Sequence, residues 1–221
     1  MKDDKGNHWW EKTVEYAFIL NFLPSLGAAF PLGGQSEKEF GDLLMSDGTE
    51  YRLFEFKAER KNIQDEKKKW GFVNKTNDPR YQGKFHEILQ RIYPQIIKHE
   101  AHKAHWIVYG VPGEIGFKLA AQIYSADTRS AQQLNSREEL ENLSYTSYSE
   151  MLDYLLEMSK IRGNIGAGTS GLFIVGVNGE KGLTIGLSAQ EFRNIRNDKP
   201  HQDEKGVEEF PQPTISRQRM H

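Results

Sequence analysis

The sequence predicts an α/β domain with a central mixed β-sheet flanked by helices. Three observations carry this expectation. Apolar residues at helical spacing open the chain, an Asp-Gly pair separates two short apolar runs soon after, and strand-like and helix-like segments then alternate beyond residue 84. In the first segment, 8–23 (HWWEKTVEYAFILNFL), Trp10, Val14, Ala17 and Phe18 recur on one helical face, with Asn7 as N-cap and Pro24 as stop. Between Phe40 and Lys57, the runs FGDLLM and YRLFEFK flank SDGT, which predicts an antiparallel hairpin. The following stretch, 59–69 (ERKNIQDEKKK), is too charged for a core element. Phe85, Ile88, Leu89, Ile92, Ile96 and Ile97 form an apolar stripe interrupted at Pro94, so a second helix is expected from about 84 to 103. His105 to Val111 and Phe117 to Tyr124 read as two strands, and Ser147 to Lys160 as a helix with Met151, Leu152, Leu155 and Leu156 inward.

The glycine-rich stretch Gly163 to Gly186 ends in a C-terminal β-hairpin turning at Asn178 and Gly179. Its Gly166, Gly168 and Gly171 match GxGxxG, but a helix precedes them and a strand follows, the reverse of the order a dinucleotide site needs. From Asn197 to His221, three prolines, many charges and little apolar content predict a disordered tail. The expected organisation is a single domain over 1–196 followed by that tail.

With 221 residues, 37% of them hydrophobic, the chain is long enough to bury a core without staples. It has no Cys, which excludes disulfides, thiolate zinc sites and cysteine nucleophiles. The opening MKDDKGN leads into no apolar signal core, so a cytoplasmic address is expected. The longest apolar stretch, Ala17 to Leu32, contains Asn21, Pro24 and Ser25 and falls short of the roughly 20 residues that span a bilayer, so no membrane partner is expected. A net charge of -2 conceals a segregation, because residues 57–105 hold twelve Lys/Arg against six Asp/Glu. Such a local excess fits an anionic partner or a solvated helical face.

Chemistry concentrates in the first hairpin. Strand alternation places Glu55 and Lys57 on one face, with Asp42 on the neighbouring strand. If Asp47 and Gly48 form the loop, Asp42 lies across from Leu53 and diagonal to Glu55, close enough for both carboxylates to share an ion. Leu43, Met45, Phe54 and Phe56 take the opposite face and anchor the strands to a core. Two carboxylates on adjacent strands suit a hard cation such as Mg²⁺, and a lysine beside it can orient or deprotonate an attacking water and offset charge on phosphorus. ExK also occurs at Glu59 with Lys61 and at Glu66 with Lys68, but only Glu55 with Lys57 lies in a strand.

A helix bearing a Glu, a strand with an Asp and a strand carrying ExK follow one another as WWEKTVEYAFIL, FGDLLM and LFEFKAER. Residues 9–57 thus resemble the PD-(D/E)xK nuclease superfamily, the restriction-endonuclease-like fold. The resemblance implies a Mg²⁺-dependent nuclease, with Mn²⁺ as a substitute ion, hydrolysing DNA in the restriction of foreign DNA. Asp42, Glu55 and Glu11 would hold the metal, and Lys57 would be the catalytic lysine. Glu11 is the preferred helix residue because WWEKTV is similar to the openings of this helix in Mrr-like members, with Glu15 one turn later as the alternative. The family's Pro before the Asp is replaced by Gly41, and Gln64 or Gln82 would match a Gln that some members place beyond the lysine. The same resemblance implies a homodimer, paired through the last hairpin, or a subunit of a defence complex. Its other reading is a catalytically silent member that binds nucleic acid or protein.

Beyond Lys57, the cations Arg60, Lys61, Lys67, Lys68, Lys69, Lys75, Arg80 and Lys84 interleave with Trp70, Phe72 and Tyr81. This pattern can track a phosphate backbone and stack on unpaired bases, or else Trp70 packs the core beneath a solvated surface. His99, His102 and His105 recur at three-residue spacing beside Lys98 and Lys103, at a helix end where cations complement the macrodipole rather than ligate a metal. No GxSxG elbow supports acyl transfer.

Overall fold

A computed structural model of the chain describes residues 9–22, 28–32, 41–47, 50–75, 77–127, 131–162, 173–178 and 183–188. Helix α1 (Glu11–Phe22) precedes strands β1 (Ala28–Pro31), β2 (Leu43–Asp47) and β3 (Glu50–Glu59). The chain leaves β3 through a 3-10 helix (Arg60–Asp65), the one-turn helix α2 (Glu66–Lys69), helices α3 (Phe85–Ile92) and α4 (Pro94–Lys98), and a 3-10 turn (Glu100–Ala104). Strands β4 (His105–Pro112), β5 (Phe117–Ile123) and β6 (Gln132–Leu134) follow, then α5 (Arg137–Glu141), β7 (Thr146–Ser147) and α6 (Tyr148–Ile161).

The sheet order is β1-β2-β3-β4-β5-β6, with β7 pairing the start of β3. Every pairing is antiparallel except β3 with β4. A parallel pair cannot be closed by a tight turn, and residues 60–104 supply the helical crossover that it requires. The sheet is therefore mixed and flanked by helices, as the sequence predicts. Among the described residues, no helix is long and apolar enough to cross a membrane.

Both faces of the sheet are covered. On one, Val14, Phe18 and Phe22 of α1 pack against Leu43, Met45, Phe54, Phe56, Trp106 and Val108. On the other, the crossover and α6 bring Ile63, Trp70, Phe85, Ile88, Met151 and Tyr154 against Leu44, Leu53, Ile107 and Tyr109. In consequence β3 is buried without interruption from Arg52 to Lys57, and the charges on it lie inside the protein.

Several expectations are corrected. Asp47 pairs with Glu50 and Leu44 with Leu53, so the hairpin register is displaced by two residues. Because side chains alternate with period two, this displacement keeps the paired residues on their expected faces, and Asp42, just before the ladder begins, bonds through its amide to the Phe54 carbonyl at 2.8 Å instead of lying opposite Leu53. Trp10 is 77% exposed, and the inward stripe of α1 is Val14, Phe18 and Phe22 instead. Trp9 takes the place expected of Trp10: its ring stacks on Phe117, and its indole N–H donates to the Ala58 carbonyl. The helix expected over 84–103 is divided at Tyr93, before Pro94, and its end tightens into the 3-10 turn.

Stretch 59–69 is not excluded from the core, since Ile63, Glu66 and Trp70 recur at helical spacing and are buried. On α6, Ser147 is the N-cap, and Tyr154 and Met158 rather than Leu156 complete the buried stripe with Met151, Leu152 and Leu155. The C-terminal hairpin, β8 (Phe173–Asn178) with β9 (Leu183–Ser188), pairs Asn178 with Leu183, so Asn178 belongs to the ladder rather than to the expected turn, and 179–182 lie outside the described residues. The expected N-cap Asn7, the glycine motif and the tail over 197–221 lie outside the described residues.

Helix α1 is fixed to the sheet by one aromatic contact set. The Phe18 ring lies 4.9 Å from Phe54 and 5.3 Å from Phe56, centroid to centroid. Truncating a buried phenylalanine leaves a cavity that the packed sheet cannot close. Phe18→Ala is expected to lower stability by about 3–5 kcal/mol in urea denaturation.

Candidate functional site

Four elements converge at the carboxyl end of β3, beside the crossover. Strand β3 supplies Glu55 and Lys57, the approach to β2 supplies Asp42, α2 supplies Glu66 and Lys69, and the first residue of α1 is Glu11. Glu55 and Lys57 are 1% and 4% exposed. Burial of this kind excludes the reading of a surface strand merely displaying its charges, because an ionised side chain enters a core only with partners.

Lys57 Nζ is the hub. It donates to Glu55 Oε1, stands 2.9 Å from Glu66 Oε1 and lies 3.6 Å from Glu11 Oε2. Lys69 reaches the same Glu55 oxygen from the solvent side and comes within 3.7 Å of Glu66. Glu66 Oε2 accepts a 2.5 Å hydrogen bond from the Tyr124 hydroxyl, which in turn accepts from the Trp70 indole at 2.8 Å. Asp42 is held from the other side, its Oδ2 accepting the Phe56 amide at 2.6 Å.

Residue 41 explains why this approach to β2 departs from the Pro of the resembled motif. A Cβ at Gly41 would stand 2.9 Å from the Phe54 carbonyl oxygen, and its φ of 157° is closed to proline, whose ring fixes φ near −65°.

Four carboxyls thus face two ammonium groups, and the imbalance sets the protonation of the site. Burial raises Asp42 to about 6, against a smaller downward pull from the Phe56 amide, Lys69 and Lys57. Burial, the Glu66 carboxylate and the Asp42 charge raise Glu55 to about 8, with Lys57 and Lys69 opposing. For Glu66, burial also acts upward, but Lys57, Lys69 and the Tyr124 hydroxyl outweigh it and bring the carboxyl down to about 2. Burial alone would lower Lys57, yet the carboxylates of Glu66, Glu55 and Glu11 raise it well above an ordinary lysine. These carboxylates favour the ammonium form of Lys57, which can orient a water and stabilise negative charge.

Asp42 and Glu55 are hard oxygen donors on neighbouring segments of the hairpin, and burial is the chief reason that both resist ionising. A divalent cation of the Mg²⁺ class would offset that cost, so the donor chemistry fits such an ion, with Asp42 and Glu55 as its ligands and Glu11 at the margin. Among the described residues, no three acidic or histidine side chains form a ready-made ion site, and the two lysine ammoniums stand among the carboxyls where an ion would enter.

The other sequence-derived candidates separate. Glu15 pairs with Lys12 at 2.6 Å, whereas Glu11 faces Lys57. Gln64 accepts the Phe85 amide at 3.0 Å and so serves the start of α3, while the Gln82 carbonyl accepts from Arg91. Of the basic segment, Arg60, Lys61, Lys68, Lys75, Arg80 and Lys84 are exposed, and Lys67 donates to the Gly83 carbonyl. Lys61, Lys68 and Arg80 pair with Glu59, Asp65 and Asp78, weak surface contacts that an anionic ligand can displace. Lys69 belongs to the carboxylate cluster instead. Trp70 and Phe72 are buried, which removes them as stacking platforms for bases, and Tyr81 packs on Phe72.

The histidine series is dispersed as well. His105 is fully buried in β4, stacked on Tyr124 and bonded to the Tyr154 hydroxyl at 2.9 Å, and His102 Nδ1 lies 2.6 Å from the His99 carbonyl. Sequence reasoning missed Glu66 and Tyr124. The signal for Glu66 was present, since it is the one charge in the Ile63-Glu66-Trp70 stripe; nothing local marks Tyr124.

No protein-family model, curated protein or solved structure matches the chain.

A carboxyl that binds its proton more tightly folded than unfolded loses stability as pH rises from its unfolded toward its folded pKa. For Asp42 that window runs from about 4 to about 6. Asp42→Asn keeps an acceptor for the Phe56 amide and removes the ionisation. In EDTA the variant is expected to gain stability over wild type as pH rises from 5 to 8, by about 1.5 kcal/mol, read as a widening gap in thermal denaturation.

Proposed function

We propose that the protein is a divalent-metal-dependent nuclease that hydrolyses phosphodiester bonds of DNA. The observation that carries this reading is the buried ExK of a central strand, Glu55 and Lys57, with Asp42 bonded to the Phe56 amide between them and the Glu11 carboxylate of the preceding helix beside the lysine. Burying so many charges for stability alone is unfavourable, since an apolar core of equal volume serves at least as well. A site for reaction explains their retention.

Asp42 and Glu55 would hold Mg²⁺, or Mn²⁺ in its place. When bound, the ion supplies Lewis-acid polarisation of the phosphate and a lower pKa for its water. Lys57 directs that water at phosphorus. As the water oxygen bonds to phosphorus and the bond to the leaving oxygen breaks, the water's proton would pass to solvent, the leaving oxygen would take one from solvent, and the Lys57 ammonium would offset the charge that develops on the phosphoryl oxygens. Glu66 keeps this ammonium aimed and protonated, and is itself held by Tyr124. Glu11 limits the reach of Lys57 from the outer side. The cations Arg60, Lys61, Lys68, Lys75, Arg80 and Lys84, which follow β3 in the chain, are exposed and would follow the phosphate backbone. Restriction of foreign DNA in the cytoplasm, by a homodimer or a larger defence assembly, is the setting that the sequence resemblance favours.

The test is cleavage of supercoiled and linear plasmid and of labelled single strands in Mg²⁺, Mn²⁺ or EDTA. Wild type is expected to cut only with the ion, and Asp42→Ala and Lys57→Ala to lose roughly 10²–10³-fold or more in rate. Cleavage that survives both substitutions would sink the assignment. Salt-dependent DNA binding without cleavage would replace it with a silent nucleic-acid-binding protein.

A further inference from the structure

Two lysines serve one site, and their surroundings differ. Lys57 is enclosed, anchored to Glu55, Glu66 and Glu11 and unable to leave without stranding three carboxylates. Lys69 enters from α2 with a side chain 28% exposed and touches only Glu55 and, more distantly, Glu66. Its charge acts on Asp42 more strongly than that of Lys57 does. The Lys69 ammonium is thus the solvent-side cation on Glu55, at 2.5 Å. Glu66 Oε1 is fully buried yet makes no aligned hydrogen bond, so the cluster retains acceptor capacity.

We propose that Lys69 is a second functional lysine of this site. Its ammonium holds the divalent cation's place on Glu55, and on ion binding it turns outward to meet a substrate phosphate. This rests on the nuclease reading above and adds to it a residue outside the strand motif. A divalent ion and an ammonium cannot occupy one place, because like charges at contact repel strongly in a poorly solvated site. Lys69 can yield where Lys57 cannot, since a partly exposed lysine on a one-turn helix regains hydration by rotating its four-carbon stem. Rotation outward carries the charge toward the exposed basic segment, where the backbone of a bound strand would run.

The experiment uses the full chain and Mn²⁺ as probe, with binding followed by electron paramagnetic resonance or calorimetry and plasmid cleavage measured in parallel. Lys69→Met, which keeps the stem and removes the charge, is expected to bind Mn²⁺ about 10-fold tighter or more than wild type, and to cleave roughly 10²-fold more slowly at saturating ion. The gain in affinity should vanish when Asp42→Asn is added. Lys69→Arg should keep wild-type affinity, and Lys160→Met, which removes an exposed lysine of α6, should leave both readouts unchanged. Unaltered or weaker Mn²⁺ binding by Lys69→Met would overturn the placeholder role, and undiminished cleavage at saturating ion would overturn the phosphate contact. If Lys69→Met binds more tightly but no form of the protein cuts DNA, the shared cation place stands and the nuclease reading fails. If wild type cuts and depends on Lys57 while Lys69→Met binds no more tightly, the reading stands and this inference fails.

Discussion

The ammonium of Lys57, enclosed by the carboxyl groups of Glu55, Glu66 and Glu11, is the constraint around which the rest of the molecule is arranged. An unpaired charge at 4% exposure would cost several kcal/mol, so each partner has to be in place when the core closes. Those partners come from β3 itself, from the first turn after the crossover begins and from the first residue of the chain's first helix. One ion cluster therefore ties together α1, the central strand and the path of the crossover.

Packing on the two faces of the sheet makes this possible. Phe18 against Phe54 and Phe56 fixes α1 over β3 and brings Glu11 to the end of the strand, while Ile63 and Trp70 turn α2 inward on the other face and deliver Glu66 and Lys69. Behind them, Tyr124, stacked on the neutral His105 ring and accepting from Trp70, presents its hydroxyl to Glu66. Burial pushes the His105 ring well below an ordinary histidine, so the ring adds no favoured positive charge beside Glu66. Burial likewise raises Asp42 and Glu55 and makes the cluster receptive to a cation. Stability and receptivity to a ligand are opposed at this point.

How much of this was legible depends on the range of the interaction. The hairpin, the strands from His105 and Phe117 and the helix capped by Ser147 could all be read locally, because period-two alternation, an Asp-Gly turn and a cap followed by an apolar stripe are properties of neighbouring residues. Strands β1, β6 and β7 could not, being short pieces whose existence depends on a sheet edge to pair with. The basic segment was legible only in part. Its composition marks cations and aromatics together, yet Trp70 and Phe72 belong to the core, and Lys69 turns toward the site while Lys68, its neighbour, remains in solvent.

The sequence by itself determined that Asp42, Glu55 and Lys57 share one face of a hairpin. Alternation with period two puts Glu55 and Lys57 together, and a two-residue displacement in register preserves the face of the partner strand, which a one-residue slip would reverse. Only the tertiary structure decided that this face is buried, and that Glu66, Lys69 and Glu11 meet there. These are contacts between elements whose relative placement follows from the route of the crossover and the packing of α1. No local period encodes that route; it is fixed when the two apolar faces of the sheet find their covers.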